Sequence, residues 1–343
     1  MASAPAGSIG SQGVGKSSPP SDHRLGRSTR TPHQAATIGG METEFIHWLR
    51  DRLPGHPQLL VGPGDDAAVL QLARDGRCVV TSDMLSDGVD FVLSSCDHRL
   101  VGRKALAVNL SDLAAMAARP VAAIVSLMLP RPGALALAQQ LFEGLLPLAQ
   151  EFGVVVAGGD TNTWAGGLVI SVTAIGETTE HGPLLRRGAR PGDQILVTGQ
   201  FGGSLLGKHF QFTPRVQAAL RLNAGYRIHA ATDVSDGLSL DLAHLLEESR
   251  CGAVVEANAI PLAEDALRMA AEDGRSPLEH ALTDGEDFEL ILAVPRDEAQ
   301  RMLGEHPLDI PLTRIGEFIA EPGLWQAATD GARTPLVPRG YRH

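Results

Sequence analysis

Short apolar runs alternate along this chain with longer stretches of helical periodicity, and that alternation restricts its fold more than any other feature. "RCVVTSD" reads as a strand running into a loop, and "DHRLVGRKALAVNLSDLAAMAA" as a helix ending before Pro120. "VAAIVSLMLP" predicts a strand, the Leu/Ala-rich stretch 134–152 a helix, "VVVAGGD" a strand into a Gly turn, and "LVISVTAIGE" another strand. The polar segment around 178–192, punctuated by Gly and Pro, predicts a domain boundary. Beyond it the alternation resumes. Strand "QILVTG" is followed by helices within 203–223 and 237–249, strand "AVVEAN", a helix near 262–273, strand "FELILAVP", a short helix and strand "LTRIGEF". Such a pattern in both halves predicts α/β or α+β layers. The length of 343 residues fits two domains at the usual ~150 residues each.

Residues 1–40 stand apart, having no apolar periodicity, and read as a disordered tail. The tail contains "GSQGVGKS", residues 10–17, a full match to the phosphate-loop pattern G-x-x-x-x-G-K-[ST]. A working loop needs a buried strand before it and a helix after it, so that backbone N–H groups converge on phosphate. Here "MASAPAGSI" precedes it, and Pro19 and Pro20 stop any helix almost at once. A second near-match, "GGSLLGKH", ends in His209 where a metal-reaching Ser or Thr is required. Neither is read as the nucleotide site. Met41 opens an amphipathic helix, "METEFIHWLRDRL", which makes it a possible start of the folded body.

Formal net charge is −11; Lys16, Arg24, Arg27 and Arg30 against Asp22 give the tail +3, leaving −14 on the body. A body so acidic argues against nucleic-acid binding. A phosphorylated ligand would need cations to mediate, which directs attention to the carboxylates. Asp65 and Asp66 lie in "GPGDDAAVL", Asp83 in "VVTSDML", Asp160 in "VVVAGGDTN", Asp233 and Asp236 in "ATDVSDGL", and Glu286 and Asp287 in "LTDGEDFEL". Most sit where an apolar segment is expected to end in a turn. Single Asp residues at turns are usually caps, as expected for Asp193 and Asp284. Asp112 differs: it lies within a strongly apolar helix, one turn from Asn109 and on the same face. Carboxylates brought together repel unless a cation neutralises them. Hard oxygen donors without His or Cys suit Mg²⁺, which shares phosphate oxygens.

The remaining residues exclude other chemistries. The 12 His residues form no zinc-binding pattern, and His244 reads as a surface or interface residue. No G-x-S-x-G elbow is present. Cys78, Cys96 and Cys251 are widely spaced and read as buried thiols in a reducing cytoplasm. No apolar run approaches the ~18 residues of a membrane span, and no secretory h-region is seen. Arg186 and Arg187 are either a solvated basic turn or a clamp for phosphoryl groups.

In order, "GDDAAVL", "TSDML", "GVDF", "KALAVNLSDLAAM", "GGDTN", "RRGARPGD", "VTGQFGGS", "TDVSDGL" and "GEDFEL" resemble the thiamine-monophosphate kinase family, within the superfamily that includes aminoimidazole ribonucleotide synthetase. The resemblance spans about residues 41–341. It implies a two-domain α/β (α+β) fold: residues 41–180 for ATP/Mg²⁺ binding and dimerisation, and 181–343 completing the nucleotide and substrate site. N-terminal sheets would pair across a homodimer, with ATP in a cleft between subunits and several Mg²⁺ ions held by aspartates instead of a phosphate loop. By motif, Asp66, Asp83, Asp112, Asp160, Asp233 and Asp236 would hold metal, with Thr81 or Ser82 assisting. Gly159, Asp160, Arg186 and Ser235 would contact ATP, and Glu286 would lie at the thiamine-phosphate end. The implied reaction is in-line transfer of the γ-phosphoryl group onto thiamine monophosphate, without a protein nucleophile.

Two departures bear on the acceptor. The family usually has "GVHF", where this chain puts Asp90, and an aromatic residue where this chain has Pro338. An Asp can attract a cationic thiazolium, whereas losing an aromatic platform weakens stacking. The alternatives are another ATP-dependent member of the superfamily with a different acceptor, or a non-catalytic Mg·ATP-binding regulator. The reactive Cys expected near the N-terminus of selenophosphate synthetases, or at the C-terminus of hydrogenase-maturation members, is lacking.

Overall fold

The computed structural model describes residues 45, 48–61, 69–72, 77–327 and 332–341. Asp65, Asp66, Met41 and the 10–17 motif lie outside the described residues. Residues 39–343 form one compact unit, built around two sheets. The smaller sheet has the order β3-β6-β4-β5, from β3 (Cys78–Ser86), β4 (Ala118–Pro130), β5 (Val155–Trp164) and β6 (Val169–Thr178). Its pairs are antiparallel except β4 with β5. The larger sheet runs β13-β12-β9-β11-β7-β10-β8 and is antiparallel except for β12 against β9. Its strands are β7 (Gln194–Thr198), β8 (Ala230–Asp233), β9 (Gly252–Glu256), β10 (Leu290–Val294), β11 (Leu312–Ile319), β12 (Gly323–Ala327) and β13 (Arg333–Pro335). Leu59–Val61 (β1) and Val69–Leu70 (β2) make a separate two-stranded ribbon.

Helix α1 (His98–Ala115) joins the two halves: it packs on β3, β4 and β6 and also on β8 of the larger sheet. Asp97 caps it, its Oδ1 accepting from the Arg99 N–H at 2.9 Å. It ends where Ala117 takes a left-handed φ of 47°. Its middle is apolar nearly all round, as befits a helix with sheets and helices on several sides. Helix α2 (Ala134–Glu151) crosses it unusually closely. A Cβ on Gly102 would stand 1.8 Å from the Leu141 carbonyl oxygen, and one on Gly144 1.8 Å from that of Arg99. Only glycine lets the two backbones meet there.

The remaining helices are short. They are α3 (Lys208–Gln211), α4 (Val216–Gly225), α5 (Leu238–Ser249), α6 (Glu264–Asp273), α7 (Pro277–Thr283) and α8 (Arg296–Glu305). α7, β1, β2, β8, β12 and β13 are not foreseen in the sequence. The expectation of buried thiols is met by Cys251 but not by Cys78, which is exposed. A more consequential difference concerns strand ends. β3 and β5 continue past Asp83 and Asp160, so both aspartates lie inside strands and not in the turns expected. Pairing over their whole length with β6 and β4 overrides the local Gly and Ser signals. Among the described residues, no helix is long and apolar enough to cross a membrane.

Candidate functional site

The site forms where β3, α1 and β8 meet. On β3, Thr81 and Asp83 point to the same face because side chains alternate along a strand. Both meet α1: the Thr81 hydroxyl donates to Asp112 Oδ2. One residue earlier on α1, the buried Ser111 hydroxyl donates to Asp233 Oδ2 at 2.5 Å, at the end of β8. Three carboxylates from three elements are thus gathered, two of them steadied by hydroxyl groups.

Their electrostatics show strain that a cation would relieve. Burial and then the charges of Asp112 and Asp233 push the Asp83 carboxyl up to about 7. Burial and then Asp112 push Asp233 up to about 7, against the Ser111 hydrogen bond. Burial raises Asp112 as well, opposed by its Thr81 hydrogen bond and by Arg186. Asp83 Oδ2 is buried without a hydrogen-bond partner. A buried carboxylate oxygen left unmatched beside two more carboxylates is what a hard divalent cation satisfies. The donor set, carboxylate and hydroxyl oxygen only, fits Mg²⁺.

A cavity of about 600 Å³ opens beside the cluster, lined by Thr81, Asp112, Met116, Arg186, Thr232 and Asp233 among others. Arg186 is placed by its neighbours in the chain. The Leu184 N–H donates to Met116 O at the end of α1, and Leu185 O accepts from the Ala231 N–H in β8. The Arg186 Nε then donates to Thr232 Oγ1 at 3.3 Å, leaving an exposed guanidinium at the cavity wall. That arrangement favours the clamp over the solvated turn.

The other expected residues fall elsewhere. Asp236 follows β8 in the loop before α5, where its ligand atom lies within 4.8 Å of those of Asp241 and His244. Asp241, missed in the sequence, is buried and accepts from the Asp236 and Gly237 N–H groups at 2.9 and 3.0 Å. It closes the first turn of α5 much as a capping-box carboxylate does; burial and then Asp236 push it up to about 7. Ser235 accepts at its carbonyl from the Glu286 N–H, 2.7 Å away. Asp193 and Asp284 are structural, as expected: Asp193 takes the Arg190 N–H and His229, and Asp284 takes the Gly203 N–H, Arg275 and His280.

Ser82 and Asp160 are not brought to this cluster. The registers Met84↔Ser171, Ser171↔Ser126 and Ser126↔Asp160 put Asp160 on the face turned away from α1. It also lies on the far edge strand, three strand spacings or about 14 Å from β3. Ser82 shares that outer face, with its hydroxyl 2.9 Å from Thr173 Oγ1. Gly159 has a structural reason to be glycine: a Cβ there would meet the Val125 carbonyl oxygen at 1.8 Å.

At the other end of α1, the Asp90 carboxylate is committed to its own turn, accepting from the Ser86 N–H at 2.7 Å. Glu286 lies between Lys104 Nζ, 2.5 Å from its Oε1, and His209 Nδ1, 3.0 Å from its Oε2. Pro338 is half-buried in a C-terminal strap over the 235–237 loop and the first turn of α5. Ser239 Oγ donates to Arg339 O at 2.8 Å, and the Tyr341 N–H to Asp236 O at 2.9 Å.

Comparison with known proteins places this geometry in a family. Residues 64–178 match the N-terminal domain, and residues 154–324 the C-terminal domain, of AIR synthase related proteins. The chain is 44% identical over 310 residues to a thiamine-monophosphate kinase of Rhodopirellula baltica, covering 88% of this chain and 97% of that protein. The crystal structure of a thiamine-monophosphate kinase from Stenotrophomonas maltophilia superposes with a TM-score of 0.71 at 34% identity, covering 85% of this chain and 96% of the other. A structure described as AaThiL complexed with AMPPCP and TMP superposes with a TM-score of 0.70 at 26% identity, covering 89% and 96%. With a relative this similar matched along nearly its whole length, the chain belongs to the thiamine-monophosphate kinase family.

Proposed function

We propose that this chain phosphorylates thiamine monophosphate with ATP, giving thiamine diphosphate and ADP. The observation that carries the reading is the cluster of Asp83, Asp112 and Asp233, of which Asp112 and Asp233 line one cavity walled by Arg186. It occurs in a chain 44% identical to a thiamine-monophosphate kinase. The bond from the γ-phosphorus to the β,γ-bridging oxygen breaks as an oxygen of the acceptor's phosphate bonds in line, and ADP leaves with the bridging oxygen. Such transfer depends on placement and charge neutralisation more than on a protein nucleophile.

Asp83, Asp112 and Asp233 would hold Mg²⁺, with Asp236 extending the set and Asp66 contributing from outside the described residues. Bound there, Mg²⁺ supplies positive charge to the phosphate oxygens of ATP. The chain's own part is to hold the ligands still: Thr81 and Ser111 fix two carboxylates by hydrogen bonds. Arg186 offers a guanidinium to phosphate, and Ser235 lies between the metal loop and Glu286. Glu286 stands at the acceptor end.

A homodimer is part of this reading. The outer face of the smaller sheet leaves Val80 60%, Met84 66% and Ile124 38% exposed. Exposed apolar side chains on a sheet face favour a protein neighbour. A second copy on that face would give Asp160, Gly159 and Ser82 a role at the subunit boundary. A division of the chain into residues 41–180 and 181–343 follows the two sheets. Three free cysteines are consistent with the cytoplasm.

The test is turnover by the purified protein with Mg²⁺ and ATP, with and without thiamine monophosphate, products being identified by mass. Thiamine diphosphate in step with ADP is the expected result. ADP release that ignores the acceptor, or Mg·ATP binding without product, would overturn the assignment.

A further inference from the structure

The segment "GGSLLGKH", which fails as a phosphate loop, has its cations turned inward onto the acidic run "GEDFE". Lys208 Nζ donates to Gln200 O at 2.9 Å and lies 3.4 Å from Glu289 Oε1 and 3.6 Å from Asp287 Oδ1. His209, one residue on, is only 7% exposed and faces Glu286. Lys104 reaches the same carboxylate from α1 and is fully buried; its Nζ also donates to Asp90 O at 3.0 Å.

A buried ammonium is stable only when paired, and among the described residues Glu286 is its one carboxylate partner. The imidazole adds direction. Its Nδ1 lies 3.0 Å from both Lys104 Nζ and Glu286 Oε2. A bare Nδ1 would accept from Lys104 Nζ but turn its lone pair on Oε2. Carrying the proton, it donates to Oε2, while Lys104 keeps Oε1 and Asp90 O. Each Glu286 oxygen then has its own donor. Burial works against the charged carboxyl, but the His209 hydrogen bond and the Lys104 charge outweigh it and hold Glu286 below the usual range.

The backbone is fixed as well. Glu286 adopts a left-handed φ of 53°, which a non-glycine residue keeps only where its surroundings enforce it. Here its N–H is bound to Ser235 O at 2.7 Å, in the loop between Asp233 and Asp236. The side chain nonetheless remains 24% exposed, so one edge of a clamped anion faces outward. Lys104 and Asp112 lie eight residues apart on α1, about 12 Å along its axis.

We propose that Lys104 and His209 are positioning residues that lock Glu286 as a rigid anionic stop for the cationic, hydrogen-bond-donating ring end of the acceptor. The acceptor's phosphate then falls toward Asp112. The inference rests on the acceptor end being at Glu286, as proposed above. A side chain already held loses little freedom on binding, so the benefit appears in acceptor affinity.

The experiment measures kcat and KM for ATP and for thiamine monophosphate with the full chain. His209→Leu is expected to raise the acceptor KM tenfold or more and leave the ATP KM within twofold. His209→Asn, whose amide nitrogen stands where Nδ1 does and can still donate to Glu286, should recover most of the loss. In a Glu286→Gln background, His209→Leu should add less than twofold. Should His209→Leu fail to fold, His209→Met, of similar volume and without a donor, carries the same expectation. An acceptor KM unmoved by His209→Leu but raised by Glu286→Gln overturns the positioning role. An acceptor KM unmoved by Glu286→Gln overturns instead the placement of the acceptor, and this inference with it.

Discussion

Replacing a carboxylate of the proposed metal cluster should stabilise the metal-free protein, in a way that depends on pH. Asp233 is the sharpest case, because burial and then Asp112 raise its carboxyl from the ordinary 3.8 to about 7. Between those values the folded chain keeps a proton that the unfolded chain has released. The stabilising contribution is therefore complete below 3.8 and is lost as pH rises through about 7. Roughly three pH units at about 1.4 kcal/mol each give ~4 kcal/mol. Asn has the same shape, stays neutral and can still accept from the Ser111 hydroxyl. In EDTA at pH 8, Asp233→Asn should therefore be more stable than wild type by the whole amount, at pH 5 by roughly a third of it, and below pH 3.8 the two should nearly coincide. For a compact unit of about 300 residues, unfolding entropy near 0.6 kcal/mol/K converts ~4 kcal/mol into about 6 °C. Thermal melts across pH, with and without Mg²⁺, read the effect. Added Mg²⁺ should close the gap at pH 8, since it neutralises the wild-type carboxylates. A variant less stable than wild type at pH 8 in EDTA, or a gap that ignores pH, would refute the reasoning.

Other outcomes follow from particular contacts. Met84→Asp, on the exposed sheet face, should yield a monomer by light scattering and abolish turnover; a persisting dimer would remove that face from the interface. Gly159→Ala would push a methyl group to 1.8 Å from the Val125 carbonyl oxygen and should cost about 3 kcal/mol, read as a lower urea midpoint. An unchanged midpoint would leave ATP contact as the better reason for glycine there. Deleting residues 1–40 should leave ATP affinity within twofold. A tenfold loss, about 1.4 kcal/mol, would restore "GSQGVGKS" as a nucleotide loop.

The alternation of elements was readable because strands and helices of ordinary length carry their own periodicity. Asp112 was conspicuous for a physical reason: a carboxylate amid Ala, Leu and Val needs a partner, and Thr81 with the neighbouring aspartates supplies that setting. Asp83 and Asp160 show where local reading stops. Gly, Ser and Thr beside them suggested turns, but ladder partners on β6 and β4 carry both strands onward. Their faces could not be assigned without the register, so Ser82 and Asp160 were grouped with residues from which the sheet separates them. Lys104 and His209 were missed for a related reason. Lys104, inside a strongly apolar helix, was not asked for a buried partner, and His209 was weighed only as the wrong last residue of a phosphate loop. The signal was in "GEDFE", four residues of which bring three carboxylates to a buried strand end that must find cations somewhere.

The central claim is that Asp83, Asp112 and Asp233 bind nucleotide through Mg²⁺. Equilibrium binding of a non-hydrolysable ATP analogue to wild type and to Asp112→Asn, with Mg²⁺ or with EDTA, tests it most directly. Wild type should bind only with Mg²⁺, and a folded, dimeric Asp112→Asn at least tenfold more weakly. Equal affinity with and without Mg²⁺, or an Asp112→Asn protein that binds as wild type does, would contradict it.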